Sequence, residues 1–216
     1  MSVRLIVAPA GLGKTAWALA RARAATRRLD ALAYVCVASR LQARACRLRL
    51  ARCGGAMGVH VVTFDGLAAA CLDAVGVPYA VLDEAVQHRL LQWAVEQLDL
   101  PHYGRLAGSP GLVQLLRRLT EELAAADACP DQLDRALAGA GPRLAELARI
   151  YRAYREGCDA LGGVDRATLI ALARDAVRNA PAGALRGWAL LAVDGSTALP
   201  PLSSASCGPS RRASPR

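Results

Sequence analysis

The feature that most restricts the fold is an alternation that stops and later resumes. Short runs rich in β-branched residues at 3–7 (VRLIV), 33–38 (AYVCVA) and 59–64 (VHVVTF) are each followed by helical periodicity, at 14–29, 40–52 and 65–76. Parallel neighbours need a crossover connection, so strand then helix, three times over, predicts a parallel sheet with helices on its faces. In the first helical segment Trp17, Ala20 and Ala24 fall at core spacing. In the second, Leu41, Ala45 and Leu48 mark an inward stripe with Arg40, Arg44 and Arg47 beside it, and Ser39 stands where an N-cap belongs. From Asp83 to Arg178 only helical periodicity remains. Pro110, Pro130 and Pro142 each open a helix there, at the position where a missing N–H costs no bond. The run 187–195 (GWALLAVDG) then restores a strand.

The expected organisation is therefore α/β at 1–78, an all-α insertion at 79–180 and a returning strand within 181–200. The stretch 201–216, rich in Ser, Pro and Arg and without period, is expected to be disordered.

Between the first strand and its helix lies VAPAGLGKT, residues 7–15. A phosphate-binding loop reads Gly, four residues, Gly-Lys-Ser/Thr; here Ala8 takes the first glycine's place and Gly13, Lys14 and Thr15 fill the rest. Such a loop works because consecutive backbone N–H groups converge at a helix N-terminus, where the helix dipole adds positive potential. Gly11 and Gly13 let the chain curl, Lys14 would reach the β- and γ-phosphates, and the Thr15 hydroxyl would hold Mg²⁺. Residues Ala10, Gly11, Leu12, Gly13, Lys14 and Thr15 are thus the expected ATP site, and the bland alternative is a glycine turn linking strand to helix. Asp194, which ends the last apolar strand, is expected as the second Mg²⁺ ligand, its alternative being a surface cap on that strand. A hydrolytic motor places a glutamate next to that acid, and this chain has Gly195.

Charge adds a further constraint. The net charge is +9, which suits a polyanionic partner, and of 27 basic residues Lys14 alone is lysine. A compact ammonium on a flexible stem suits a phosphate at the bottom of a backbone cradle, whereas a guanidinium suits an open surface. Arg40, Arg44 and Arg47 could track a phosphate backbone or simply form a solvated helix face. Trp93, Tyr151 and Tyr154 lie on apolar helix stripes and read as core, and His60, His88 and His102 have no metal-ligand spacing. Seven cysteines without a Cys-x-x-Cys pair argue against a disulfide framework and for a reducing cytoplasm. With 54% apolar residues but no run long enough for a membrane span, the chain is expected to be soluble and intracellular, with no membrane partner.

Taken with VTFDGLAAACLDAVG, LAELARIYRAYREGCDALGGVDRATLIALA and LLAVDGSTALPPL, the loop resembles the N-terminal region of the B subunit of bacterial ATP-dependent helicase/deoxyribonucleases. That family belongs to the UvrD/RecB-like superfamily 1 helicase group. The segment Leu-Ala-x-x-Tyr-x-x-Tyr at 147–154, followed by a helix start at Asp165, is similar to the family's inserted helical subdomain. Asp194-Gly195 resembles its degenerate second motif, where true helicases carry Asp-Glu. The resemblance spans about residues 3–202 and implies a RecA-like P-loop NTPase sheet, incomplete and interrupted by the helical insertion.

It also implies ATP and Mg²⁺ as cofactors, DNA as partner and a helicase/nuclease A-type partner subunit, in double-strand-break repair and recombination. Thr63 and Phe64 match a Thr-Phe element that lies near single-stranded DNA in that family, although Asp65 stands where histidine commonly follows. The match stops after STALPPL, before any second motor domain or nuclease domain, as in a truncated or frame-shifted product. A single half-motor lacks the arginine that a second domain supplies to the transition state, so weak or absent hydrolysis is expected. Two rivals remain: a non-catalytic scaffold for DNA or a partner subunit, and a small-molecule P-loop kinase whose helical part forms a lid.

Overall fold

The computed structural model describes residues 2–28 and 30–195, which form two compact units. The expected tail at 201–216 and the segment STALPPL lie outside the described residues. One unit comprises the chain up to Val77 together with the stretch from Ala176 onward, and the other runs from Pro78 to Asp175.

The first unit is α/β. Strands β1 (Leu32–Val37), β2 (Val59–Val62) and β3 (Trp188–Asp194) form a parallel sheet in the order β2-β1-β3. β1 is the central strand, and its run from Ala33 to Val37 is buried throughout, as a strand covered on both faces must be. Helices α1 (Lys14–Ala25) and α2 (Arg40–Arg52) pack side by side on one face, where Leu19, Ala22, Ala43, Cys46 and Leu50 meet Ala33, Val35, Val37 and Val61. Helix α3 (Phe64–Val75) covers the alternate residues of β1: Cys36 lies near Asp65, and Tyr34 near Cys71 and Asp73. On that same face the rings of Trp188, Tyr34 and His60 stack in a row across all three strands, with centroid separations of 3.9 and 5.1 Å. Gly58 leads into β2 with φ +75°, and a Cβ there would stand 2.6 Å from the Ala31 carbonyl oxygen, so no other residue fits without moving the strand.

Two expectations are corrected in this unit. The run 3–7 is not a strand. It has no ladder partner, and Val3, Leu5 and Val7 are 97%, 86% and 84% exposed. A strand needs a neighbour and cover for both faces. Among the described residues the outer edge of β3 is unpaired, and Leu191 and Val193 on its α3-side face stand half exposed, so a fourth strand there would bury only its α1 side. The inward stripes of the first two helices are also shifted. Trp17, Ala20 and Ala24 face outward while Ala18, Leu19 and Ala22 are buried; Leu41, Ala45 and Leu48 are exposed while Ala43, Cys46 and Leu50 are buried. Both helices carry two apolar stripes, and close approach to a sheet favours the one with small side chains. Trp17 is partly covered instead by the Arg21 guanidinium, 5.9 Å from its ring centre.

Ser39 caps α2 as expected, within a full capping box. Its hydroxyl accepts from the Gln42 N–H, and the Gln42 side chain accepts from the Ser39 N–H. Ser39→Ala is expected to cost about 1 kcal/mol in urea unfolding, with an unchanged m-value.

The second unit is helical, built of α4 (Glu84–Gln97), α5 (Pro110–Ala125), α6 (Pro130–Ala136), α7 (Pro142–Ala160) and α8 (Arg166–Arg178), the last of which runs on past Asp175. Asp83 caps α4, and proline opens α5, α6 and α7 as the sequence indicates. Leu91, Val95, Leu112, Leu116, Ile150 and Tyr154 fill the core between α4, α5 and α7. Tyr151 and Tyr154 are buried as expected. Trp93 is not; it stands half exposed because α4 turns Leu91, Ala94 and Val95 inward.

The buried Glu146 carboxylate gathers the N–H groups of His102 and Tyr103 and pairs with His102 Nδ1 at 2.6 Å, which gives structural work to a histidine that spacing alone left without a role. Burial pushes the Glu146 carboxyl up, but the His102 ring and the two backbone donors outweigh it and hold the group below the ordinary glutamate range. A depressed folded-state value stabilises the fold above the unfolded value and loses that contribution as pH falls through the folded one. Acid unfolding followed by circular dichroism is therefore expected to flatten in Glu146→Gln relative to the wild type below about pH 4.5.

Candidate functional site

The glycine loop opens α1 directly. Gly11 and Gly13 sit at φ +83° and +80°, left-handed values that explain both glycines, and open space surrounds each. Gly13 is the N-cap residue and offers no side chain, so no hydroxyl or carboxylate satisfies the first-turn N–H groups, and no acid lies in that turn. The first backbone bond of the helix runs from Trp17 N–H to the Gly13 carbonyl at 2.9 Å. Ala10 to Gly13 are exposed and Lys14 and Thr15 half-buried, which leaves the donors open to an anion.

Lys14 turns back over the loop. Its ammonium donates to the Ala8 and Pro9 carbonyls at 2.5 and 2.8 Å. An ammonium has three donors, so the contact holds the charge beside the cradle without exhausting it. Both acceptors belong to a segment that bonds no strand, and the lysine could exchange them for phosphate oxygens at small cost.

The topology carries Asp194 to the same end of the sheet. Because α1 leads through a short connection into the start of β1, its N-terminus lies at the end where β1 and β3 finish, and α1 packs on both strands. Asp194 ends β3 opposite Val37. Among the described residues no hydrogen bond or ion pair joins it to Lys14 or Thr15. Its nearer neighbours are on α2: its charge adds to burial in raising the Cys46 thiol, and Gln42 Nε2 stands 3.5 Å from where a Gly195 Cβ would be. No group of three or more His, Cys, Asp or Glu side chains gathers among the described residues.

Thr63 and Phe64 follow β2 at this same carboxyl end, Thr63 as the N-cap of α3 with no side-chain capping bond. Both are half-buried. Arg40 and Arg44 are exposed on the first turns of α2, close to the edge, whereas Arg47 is committed elsewhere and donates to the Val61 carbonyl at 2.7 Å. The structure thus brings Ala10–Thr15, Thr63, Phe64, Arg40 and Asp194 to one edge of one sheet, the place where open α/β sheets hold ligands. A shallow concavity in the helical unit, along Leu137, Pro142, Ala145 and Ala148, contains none of these residues.

Of the six described cysteines, Cys36, Cys46 and Cys158 are buried as small core residues, Cys71 and Cys129 are half-buried and Cys53 is exposed. Cys36 and Cys158 are buried, with thiols pushed up to about 11 by burial first, and the six described cysteines are all free. No helix among the described residues is long and apolar enough to cross a membrane. No protein-family model matches this chain, and no characterised protein matches it in sequence.

Proposed function

We propose that the chain binds ATP with Mg²⁺ at Ala10–Thr15, as the nucleotide-binding part of a helicase/nuclease-type subunit that works on DNA. The observation that carries this reading is the open glycine loop at the mouth of α1, with unpaired first-turn N–H groups and the chain's single lysine beside them. Thr15 and Asp194 would share the Mg²⁺, and Thr63, Phe64, Arg40 and Arg44 would meet DNA along the same edge. Gly195 in place of an acid leaves no general base beside Asp194, so turnover is slow or absent. The outer edge of β3, unpaired among the described residues, supports assembly with a helicase/nuclease A-type partner subunit.

The test is retention of radiolabelled ATP by the purified chain with and without Mg²⁺, read beside phosphate release. Mg²⁺-dependent retention with little release is expected. Absence of retention at millimolar ATP removes the site, and DNA binding that persists unaltered by ATP would favour the scaffold instead.

A further inference from the structure

Charge is distributed unevenly along the chain. The described part of the α/β unit holds thirteen basic residues against four acids, Asp30, Asp65, Asp73 and Asp194, whereas residues 78–175 hold eleven arginines against fourteen acids. A chain that merely favours arginine would spread both signs alike. The helical unit uses its arginines in pairs: Arg117 with Glu84 and Glu121, Arg152 with Asp131 and Asp134, Arg155 with Asp165, and Arg174 with Asp127 and Asp175. By contrast α1 and α2 contain no acid, and among the described residues none of their arginines forms an ion pair. Arg21, Arg23, Arg27, Arg28, Arg44, Arg49 and Arg52 are all exposed on these two helices or the turn after α1.

The two helices lie side by side on one face of the sheet and run the same way, each leading into the start of a strand. Their C-terminal ends, with Arg23, Arg49 and Arg52 in the last turns and Arg27 just beyond α1, therefore stand at the end of the sheet opposite the glycine loop. Each helix is about 18 to 20 Å long, a span over which duplex DNA presents roughly ten phosphates on its two strands. Like charges packed at this density repel one another, and a partner that brings a regular row of anions relieves that repulsion.

We infer that the outer surface of α1 and α2 binds the phosphate backbone of duplex nucleic acid without regard to sequence. The surface is separate from the nucleotide edge, and the inference stands whether or not ATP binds there. A nucleic acid fits better than an anionic membrane. The exposed guanidinium groups of this surface outnumber its exposed large apolar side chains, Trp17, Leu41 and Leu48, and planar guanidinium groups match phosphate oxygens in pairs.

The experiment compares the full chain with Arg23→Gln/Arg27→Gln/Arg49→Gln/Arg52→Gln, and with a charge-matched control in the helical unit, Arg89→Gln/Arg105→Gln/Arg118→Gln/Arg143→Gln. Affinity for a fluorescent duplex of random sequence is measured by anisotropy across a salt series, with vesicles containing phosphatidylserine as a second probe. The first variant is expected to lose at least tenfold in duplex affinity at 0.1 M salt, with its log–log salt slope shallower by about 3.6, or 0.9 for each of four lost contacts. The control should stay within about twofold of wild type, screened charge away from the contact surface mattering little. Unaltered circular dichroism and ATP retention in the first variant separate this surface from the nucleotide site. Equal losses in both variants, wild-type affinity in the first, or tighter binding to vesicles than to duplex would each overturn the inference.

Discussion

Lys14→Ala is expected to lower ATP affinity by at least tenfold and to leave the unfolding midpoint of the α/β unit nearly unchanged. The two effects separate because of where the ammonium sits. Among the described residues its bonds go only to the Ala8 and Pro9 carbonyls, on a segment that bonds no strand, so little of the fold depends on them. Alanine is also at least as good a helix former at that position. A bound triphosphate, in contrast, would lose a charge-assisted contact worth about 1.5 to 3 kcal/mol, or roughly tenfold to more than a hundredfold in affinity. Lys14→Arg sharpens the test. Arginine keeps the charge, and mere electrostatic attraction would preserve binding, but a planar fork on a stiffer stem does not fold into a cradle shaped for a point charge. Titration of a fluorescent ATP analogue in Mg²⁺ should therefore show both variants impaired, with Lys14→Arg intermediate. Wild-type affinity in Lys14→Ala would leave the loop as a turn between two elements.

The helices were the most legible part of this chain, because their signals are local. Ser39 and the prolines at 110, 130 and 142 mark helix starts without any reference to the rest of the fold, and each stands at its expected position; the Gln42 and Asp83 capping bonds are added by the structure. Strands β1, β2 and β3 were legible as apolar runs between helices. The run at 3–7 shares their composition and fails as a strand because pairing depends on what lies beside it, which composition does not encode. Helix phase was misread in α1 and α2 for a related reason: with Ala, Leu and Arg on most positions, two stripes compete, and only contact with the sheet selects Ala22 over Ala24 or Cys46 over Ala45. Of the candidate site, Ala10 to Thr15 is contiguous and could be read directly. The meeting of Thr63, Asp194 and the loop at one sheet edge was recoverable only through the strand order. The His102–Glu146 clamp joins residues far apart in sequence and left no signal in spacing.

Asp165→Ala is expected to be the most damaging single substitution in the helical unit, at about 3 to 5 kcal/mol. The carboxylate is buried and does three things at once. It accepts the Thr168 N–H at 2.8 Å at the start of α8, accepts the Tyr154 hydroxyl at 3.2 Å, and lies 3.8 Å from the Arg155 guanidinium. Alanine would leave the Thr168 N–H open at the helix start, the buried Tyr154 hydroxyl with only the Cys158 thiol and Arg155 with only the Thr168 hydroxyl, and each lost partner carries a desolvation cost. The Tyr154 phenol is itself pushed up, by burial first and then by the Asp165 charge, so it donates and does not ionise. Tyr154→Phe removes only the hydroxyl and leaves the carboxylate with Thr168 and Arg155, which should cost about 1 kcal/mol. Because the two side chains share one bond, the double variant should fall short of the sum of the singles. Hydrogen exchange over residues 78–175 measures this without interference from the α/β unit. Tyr154 and the Asp165 helix start thereby act as a latch between α7 and α8. Should Asp165→Ala prove no worse than Tyr154→Phe, the latch would reduce to the hydroxyl contact alone, and α8 would owe its start to packing.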